Sequence, residues 1–187
     1  FIADLHLSQA QPATLATFAR YLAGPARSAG ALYILGDLFD AWPGDDALAT
    51  PAAQAVTRAL AALADSGCAI HFLAGNRDFL ADQAFADAAR LTLLEEPALV
   101  ELGGRKYLLQ HGDALCTDDV AYQKFRAMVR NPVWRTDFLA KPLNERLAIA
   151  SEARQKSEDA KQVKSYEIMD VNAGAVEACL RAAGYPD

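Results

Sequence analysis

Residues 69–78 read AIHFLAGNRD. An apolar run reaches Gly75 and then delivers Asn76, Arg77 and Asp78 in succession. Gly and Asn are ordinary turn residues, so taken alone the stretch is a strand followed by its turn, with Gly75 letting the chain leave the strand. The neighbouring segments decide between a turn and a site. ALYILGD at 31–37 ends on Asp37, FIADLHL at 1–7 carries Asp4 and His6, and RKYLLQHGD at 105–113 carries His111. Four apolar runs thus end in oxygen or nitrogen donors, whereas His71 sits inside its run between Ile70 and Phe72 and reads as a strand residue.

Between these runs lie helical patterns. Pro12 to Arg27 places Leu15, Phe18 and Leu22 on one face, with Gly24-Pro25 as a break; Pro51 to Ser66 places Val56, Leu60 and Leu63 together and stops at Gly67. LTLL at 91–94 reads as a fourth strand, and Gly103-Gly104 closes a hairpin. Strand, helix, strand, helix, strand predicts an α/β class with parallel pairing. In such a sheet the carboxyl ends of the strands line the ligand crevice, where the donors above collect. Two carboxylates, two imidazoles and an amide suit Mn, Fe, Co or Zn rather than a sulfur-seeking site. Asp4 and His6, two apart, fall on one side of an extended strand.

The chain has 187 residues, 52% hydrophobic and 22% charged, enough for one domain carrying an insertion. No apolar run is long enough to span a membrane. Cys68, Cys116 and Cys179 lack metal-motif spacing and leave one unpaired, which suits a reducing cytosol and three small buried hydrophobes. The net charge of −6 disfavours nucleic acid as a partner, but it is unevenly spread. Residues 120–165 hold ten Lys or Arg against five acids, a local +5 that leaves −11 elsewhere. That shift marks a module, predicted to be helical from Asp119 to about Lys164 with breaks at Pro132 and Pro142; Tyr166 to Ala183 reads as a final helix.

DLH at 4–6, GDLFD at 36–40, GNRD at 75–78 and HGD at 111–113 resemble, in order and spacing, the motifs of the calcineurin-like metallophosphoesterases. The surrounding blocks ALYILGDLFDAWPGDD, HGDALCTDD and IMDVN, and Arg77 where that family usually has His, resemble the branch acting on a UDP-linked diacylated glucosamine lipid. The resemblance implies a layered β-sheet core flanked by helices over 1–117 and a helical cap insertion over 118–165. Residues 166–187 would return to the core. It implies two divalent metal ions, Mn foremost, one on Asp4, His6 and Asp37 and one on Asp37, Asn76 and His111. It further implies substrate contacts at Asn76, Arg77, Asp119, Tyr122, Arg154, Ser157, Lys161 and Lys164. Diphosphate hydrolysis to UMP and a lipid-sugar phosphate follows, by a cytoplasmic protein held peripherally at the inner membrane. The family's closing G-H-x-H does not occur in these 187 residues, and a protein ending at Asp187 is expected to bind metal weakly and be inactive. Two rival readings are a nuclease or other phosphodiesterase of this fold and a metal-free partner-binding scaffold. The acidic balance disfavours the first and the intact ligand set the second.

Overall fold

A computed structural model describes residues 1–186, apart from the side chains of Lys161 and Val163. The chain divides into two compact units, Phe1–Glu95 and Glu96–Asp187. The architecture is mixed α/β, a parallel sheet with flanking helices, as the metallophosphoesterase type requires.

In the first unit β1 (Ala31–Leu35), β2 (Ala69–Leu73) and β3 (Thr92–Leu94) form a parallel sheet in that order. Leu35 pairs with Leu73, so β1 and β2 end side by side and the segments after them emerge together. Helix α2 (Pro51–Asp65) packs against β2, α1 (Pro12–Ala23) and α3 (Gln83–Ala89). Ile34, Leu38, Leu60, Phe72, Leu73 and Phe85 are essentially inaccessible to solvent. Each such side chain contributes about 1.5–3 kcal/mol by leaving water. Phe39, Trp42, Phe72 and Phe85 interlock as an aromatic cluster, and the Trp42 indole N–H donates to Asp45 at 3.0 Å.

Two expectations need correcting here. The opening FIADLHL is no regular strand. It pairs with β1 through an isolated parallel bridge at Ile2–Ile34 and with the segment after β1 through another at Leu7–Phe39, because Asp4 and His6 stand at φ 55° and 47°, where extended geometry is lost. Helix α3 was not foreseen. It is seven residues long, too short for a clear period, and is held by the Asp82 cap and by buried Phe85, Ala86 and Ala89.

In the second unit β4 (Ala98–Leu102) and β5 (Arg105–Leu109) form the expected hairpin. Gly103 and Gly104 turn it at φ 61° and 78°, both left-handed as a two-residue type I′ turn demands. Helices α4 (Val120–Val129), α5 (Pro132–Leu139) and α6 (Leu143–Val163) follow, divided by the two prolines. Pro132 occupies the first position of α5, where its missing N–H costs nothing, and Asn131 caps that helix by accepting from Val133 N–H. Trp134 stacks on Phe138 with ring centres 4.7 Å apart; Phe138 is buried and Trp134 half-buried.

The final helix is two helices, α7 (Tyr166–Met169) and α8 (Ala173–Ala182). Asp170 is extended and the Asn172 side chain accepts from Ala175 N–H, starting a new helix by the local bonding that makes Asn a helix interrupter. Cys68 is buried, but Cys116 and Cys179 are only half-buried, so the expectation of three buried thiols holds for one. Among the described residues no helix is long and apolar enough to cross a membrane.

Candidate active site

The segment after β1 carries Asp37 and the segment after β2 carries Gly75, Asn76 and Arg77. The register of β1 on β2 places them against each other. The Asp37 carboxylate is only 3% exposed. Its Oδ1 accepts the Arg77 N–H at 2.8 Å. The Asn76 amide faces both Asp37 oxygens and, with its NH2 group turned toward them, would donate to both at 3.0 and 2.7 Å. The opening segment docks alongside, with Asp4 N–H donating to Gly36 O at 3.1 Å and His6 N–H to Asp37 O at 2.9 Å. His6 Nε2 then stands 3.8 Å from Asp37 Oδ2. One donor atom from each of Asp4, His6 and Asp37 lies within 4.8 Å of the others, a group that can hold a metal ion.

All three of these residues adopt left-handed backbone, Asp37 at φ 51°. Non-glycine residues there are uncommon, cost on the order of 1 kcal/mol each and cluster at functional sites. The expectation that Asp4 and His6 share a strand face is therefore replaced by a different device: two consecutive left-handed kinks turn both toward Asp37. Two carboxylates converging on one point, one of them withdrawn from water, repel each other unless a cation joins them, and the imidazole adds a nitrogen donor beside them. The residues present fit a hard or borderline divalent ion.

Gly75 is needed for a reason other than turning. Its φ is not left-handed; a Cβ there would stand 2.2 Å from Asp37 Oδ1 and 2.5 Å from Asp37 N. Hydrogen replaces Cβ so that one backbone can approach the other.

Asp78 holds the two loops together, a part the sequence reading did not assign. It is fully buried and accepts N–H bonds from Gly75 (2.8 Å), Asp37 (3.2 Å), Leu38 (2.7 Å) and Phe39 (3.3 Å). Burial and the adjacent Asp37 charge push its carboxyl up to about 6, while the N–H donors pull the other way. Its signal was present in GNRD: an acid closing a loop whose other polar groups were already assigned. His71 lies outside this cluster, paired with Tyr33 across the sheet and stacked on it at 4.6 Å.

The second unit holds the remaining expected residues. His111 follows β5, and its N–H donates to Glu96 Oε1 at 2.7 Å. Asp119, the N-cap of α4, accepts from Tyr122 N–H at 3.0 Å and from the Lys164 ammonium at 2.8 and 2.5 Å, which brings three of the expected substrate residues together. Burial raises the Asp119 carboxyl, but these donors outweigh it and hold it below the usual range. Arg154 and Ser157 lie three residues apart on the exposed part of α6; the Lys161 side chain lies outside the described residues. The Tyr122 hydroxyl donates to Asp113 Oδ2 at 2.5 Å, and burial with the Asp113 charge pushes the phenol up, so it stays a donor.

An α/β sheet with this donor set beside its strand ends offers the ligand types that metal-assisted hydrolases use. No family model matches the chain. It is 54% identical over 186 residues to a UDP-2,3-diacylglucosamine hydrolase of Aromatoleum aromaticum, an alignment covering 100% of this chain and 76% of that protein. It is 52% identical to the protein of that name from Shigella dysenteriae and 51% to that from Escherichia fergusonii, in both cases over 96% of this chain and 75% of theirs. The chain belongs to the UDP-2,3-diacylglucosamine hydrolase family.

Proposed function

We propose that the complete protein hydrolyses the diphosphate bond of UDP-2,3-diacylglucosamine, yielding UMP and 2,3-diacylglucosamine 1-phosphate in lipid A synthesis. The observation that carries this reading is the left-handed convergence of Asp4 and His6 on Asp37, in a chain 54% identical to a protein of that name. Asp4, His6 and Asp37 would hold one divalent cation. Asp37, Asn76 and His111 would hold a second, the last ligand being argued from the sequence pattern, and Mn is the ion proposed for both. Bound cations of this kind polarise phosphoryl oxygens and make water nucleophilic near neutral pH.

The chain's own residues do the rest. The Asn76 amide faces the Asp37 carboxylate; one orientation donates NH2 to it and the other presents Oδ1 for a cation. Arg77, its backbone N–H fixed on Asp37, offers a guanidinium fork to phosphoryl oxygens. It keeps its proton at working pH, so it cannot protonate a leaving group. A phosphate monoester leaving group, with a second pKa of about 6, needs no proton; an alkoxide, whose parent acid is near water at about 15.7, does. In the full-length protein Arg77→Ala should keep its metal content and lose roughly 10²–10³-fold in kcat, as when one oxyanion donor is removed. Near-normal turnover of the UDP-lipid, or faster wild-type cleavage of an alkyl phosphodiester, defeats the reading.

The 118–165 insertion is proposed as a cap, with Asp119, Tyr122, Arg154, Ser157, Lys161 and Lys164 meeting the substrate. The +5 charge of residues 120–165 accompanies exposed Val120, Phe125, Met128, Val133, Leu139 and Leu147. That pairing supports peripheral docking on the anionic cytoplasmic face of the inner membrane. Co-sedimentation with anionic liposomes should fall as ionic strength passes about 0.1 M, where screening acts within about 10 Å. Salt-insensitive binding, or none, rejects it.

A further inference from the structure

The His111–Gly112–Asp113 turn is clamped at both ends, and one side chain joins the clamps. At the first end Glu96 Oε1 accepts the His111 N–H at 2.7 Å. At the other, Asp113 Oδ2 accepts from Tyr122 OH at 2.5 Å and from Arg126 Nε at 2.8 Å, with Arg130 Nη2 3.6 Å away. The backbone oxygen of Asp113 accepts from the Gln123 amide at 2.8 Å. Between the clamps Gly112 stands at φ 103°, a conformation open to glycine, so the turn is fixed in shape as well as held. Arg126 is the bridge: its Nε takes Asp113 while its Nη2 takes Glu96 Oε2 at 3.1 Å. All three charged side chains are withdrawn from water, at 21% exposure for Arg126, 12% for Glu96 and 8% for Asp113, so the pairing is little screened.

We infer that Arg126 is a positioning residue for His111, acting through Glu96 and Asp113 to fix where the His111 backbone presents its imidazole. This rests on the reading of His111 as a metal ligand. A ligand is only as good as the outer groups that orient it, and losing such a group typically weakens metal affinity about 10–100-fold. Lysine cannot replace the bridge, because a point ammonium lacks the planar fork that reaches two carboxylates at once. Three α4 side chains, from Tyr122, Gln123 and Arg126, and that of Arg130 at its C-cap hold this turn, so α4 and the turn behave as one piece.

The test is Mn titration of the full-length protein followed calorimetrically, in wild type, Arg126→Lys, His111→Ala and the double variant, with Glu96→Gln as a milder probe that keeps an acceptor for the His111 N–H. Arg126→Lys should weaken Mn binding about 10–100-fold alone. It should add nothing in the His111→Ala background, because it acts only through His111. A general structural role would instead lower affinity equally in both backgrounds, which overturns the inference. So does Arg126→Lys binding Mn within about twofold of wild type. If His111→Ala itself binds Mn as wild type does, the ligand reading fails, and the inference fails with it for a separately visible reason.

Discussion

Asp37→Asn in the full-length protein is expected to lose at least about 10³-fold in turnover of the UDP-lipid, about 4 kcal/mol of transition-state stabilisation. The substitution is chosen because it spares the fold. Asn tolerates left-handed backbone as Asp does, so the φ of 51° is kept. Its amide oxygen can still accept the Arg77 N–H that Asp37 Oδ1 takes now. What disappears is the negative charge on which Asp4 and His6 converge, together with the second acceptor of the Asn76 amide. The metal content per chain should fall with the rate, while the melting temperature of metal-free protein should hold. His71→Ala is the comparison: its ring stacks on Tyr33 outside the cluster, and it should lose less than about tenfold. Equal losses in the two variants would show that the site is elsewhere.

Asp78→Asn should act in the opposite sense, on the fold first. Its carboxylate has no exposed surface and receives four backbone N–H groups from two loops. An amide offers one acceptor oxygen, and its own NH2 group must face donors. Buried donors left without partners cost about 1–3 kcal/mol each. Two such losses set the expected destabilisation at about 3 kcal/mol, or roughly 6–12 °C in Tm for a chain of this size. Because the Asp37 N–H is one of the four, metal binding should weaken as well. A metal-free Tm within about 2 °C of wild type would remove Asp78 from this role.

Where local chemistry speaks for itself, the fold was legible in the residues. β1, β2 and α2 are apolar or periodic stretches bounded by Gly, Pro or a cap; Gly103-Gly104 names a hairpin; Pro132 and Pro142 divide α4, α5 and α6. The opening segment was misread because Asp4 and His6 leave the extended region, and a two-residue period carries no sign of positive φ there. The break after Met169 was missed because a single Asn cap inside a helical pattern is a weak signal. In the candidate site the strand-end donors could be named from position. Glu96, Asp113 and Arg126 could not, since their meaning lies in partners 9 to 30 residues away.

Gly75 has a bearing on how this protein can vary. Because every other residue type brings a Cβ into the Asp37 backbone, the loop after β2 cannot be exchanged for another unless the loop after β1 is reshaped with it. Grafting GNRD alone onto a related sheet would carry over Asn76 and Arg77 but not the space they occupy. The heritable unit is the pair of loops, 36–39 and 75–78, with Asp78 as the fastening and Gly75 as the clearance between them.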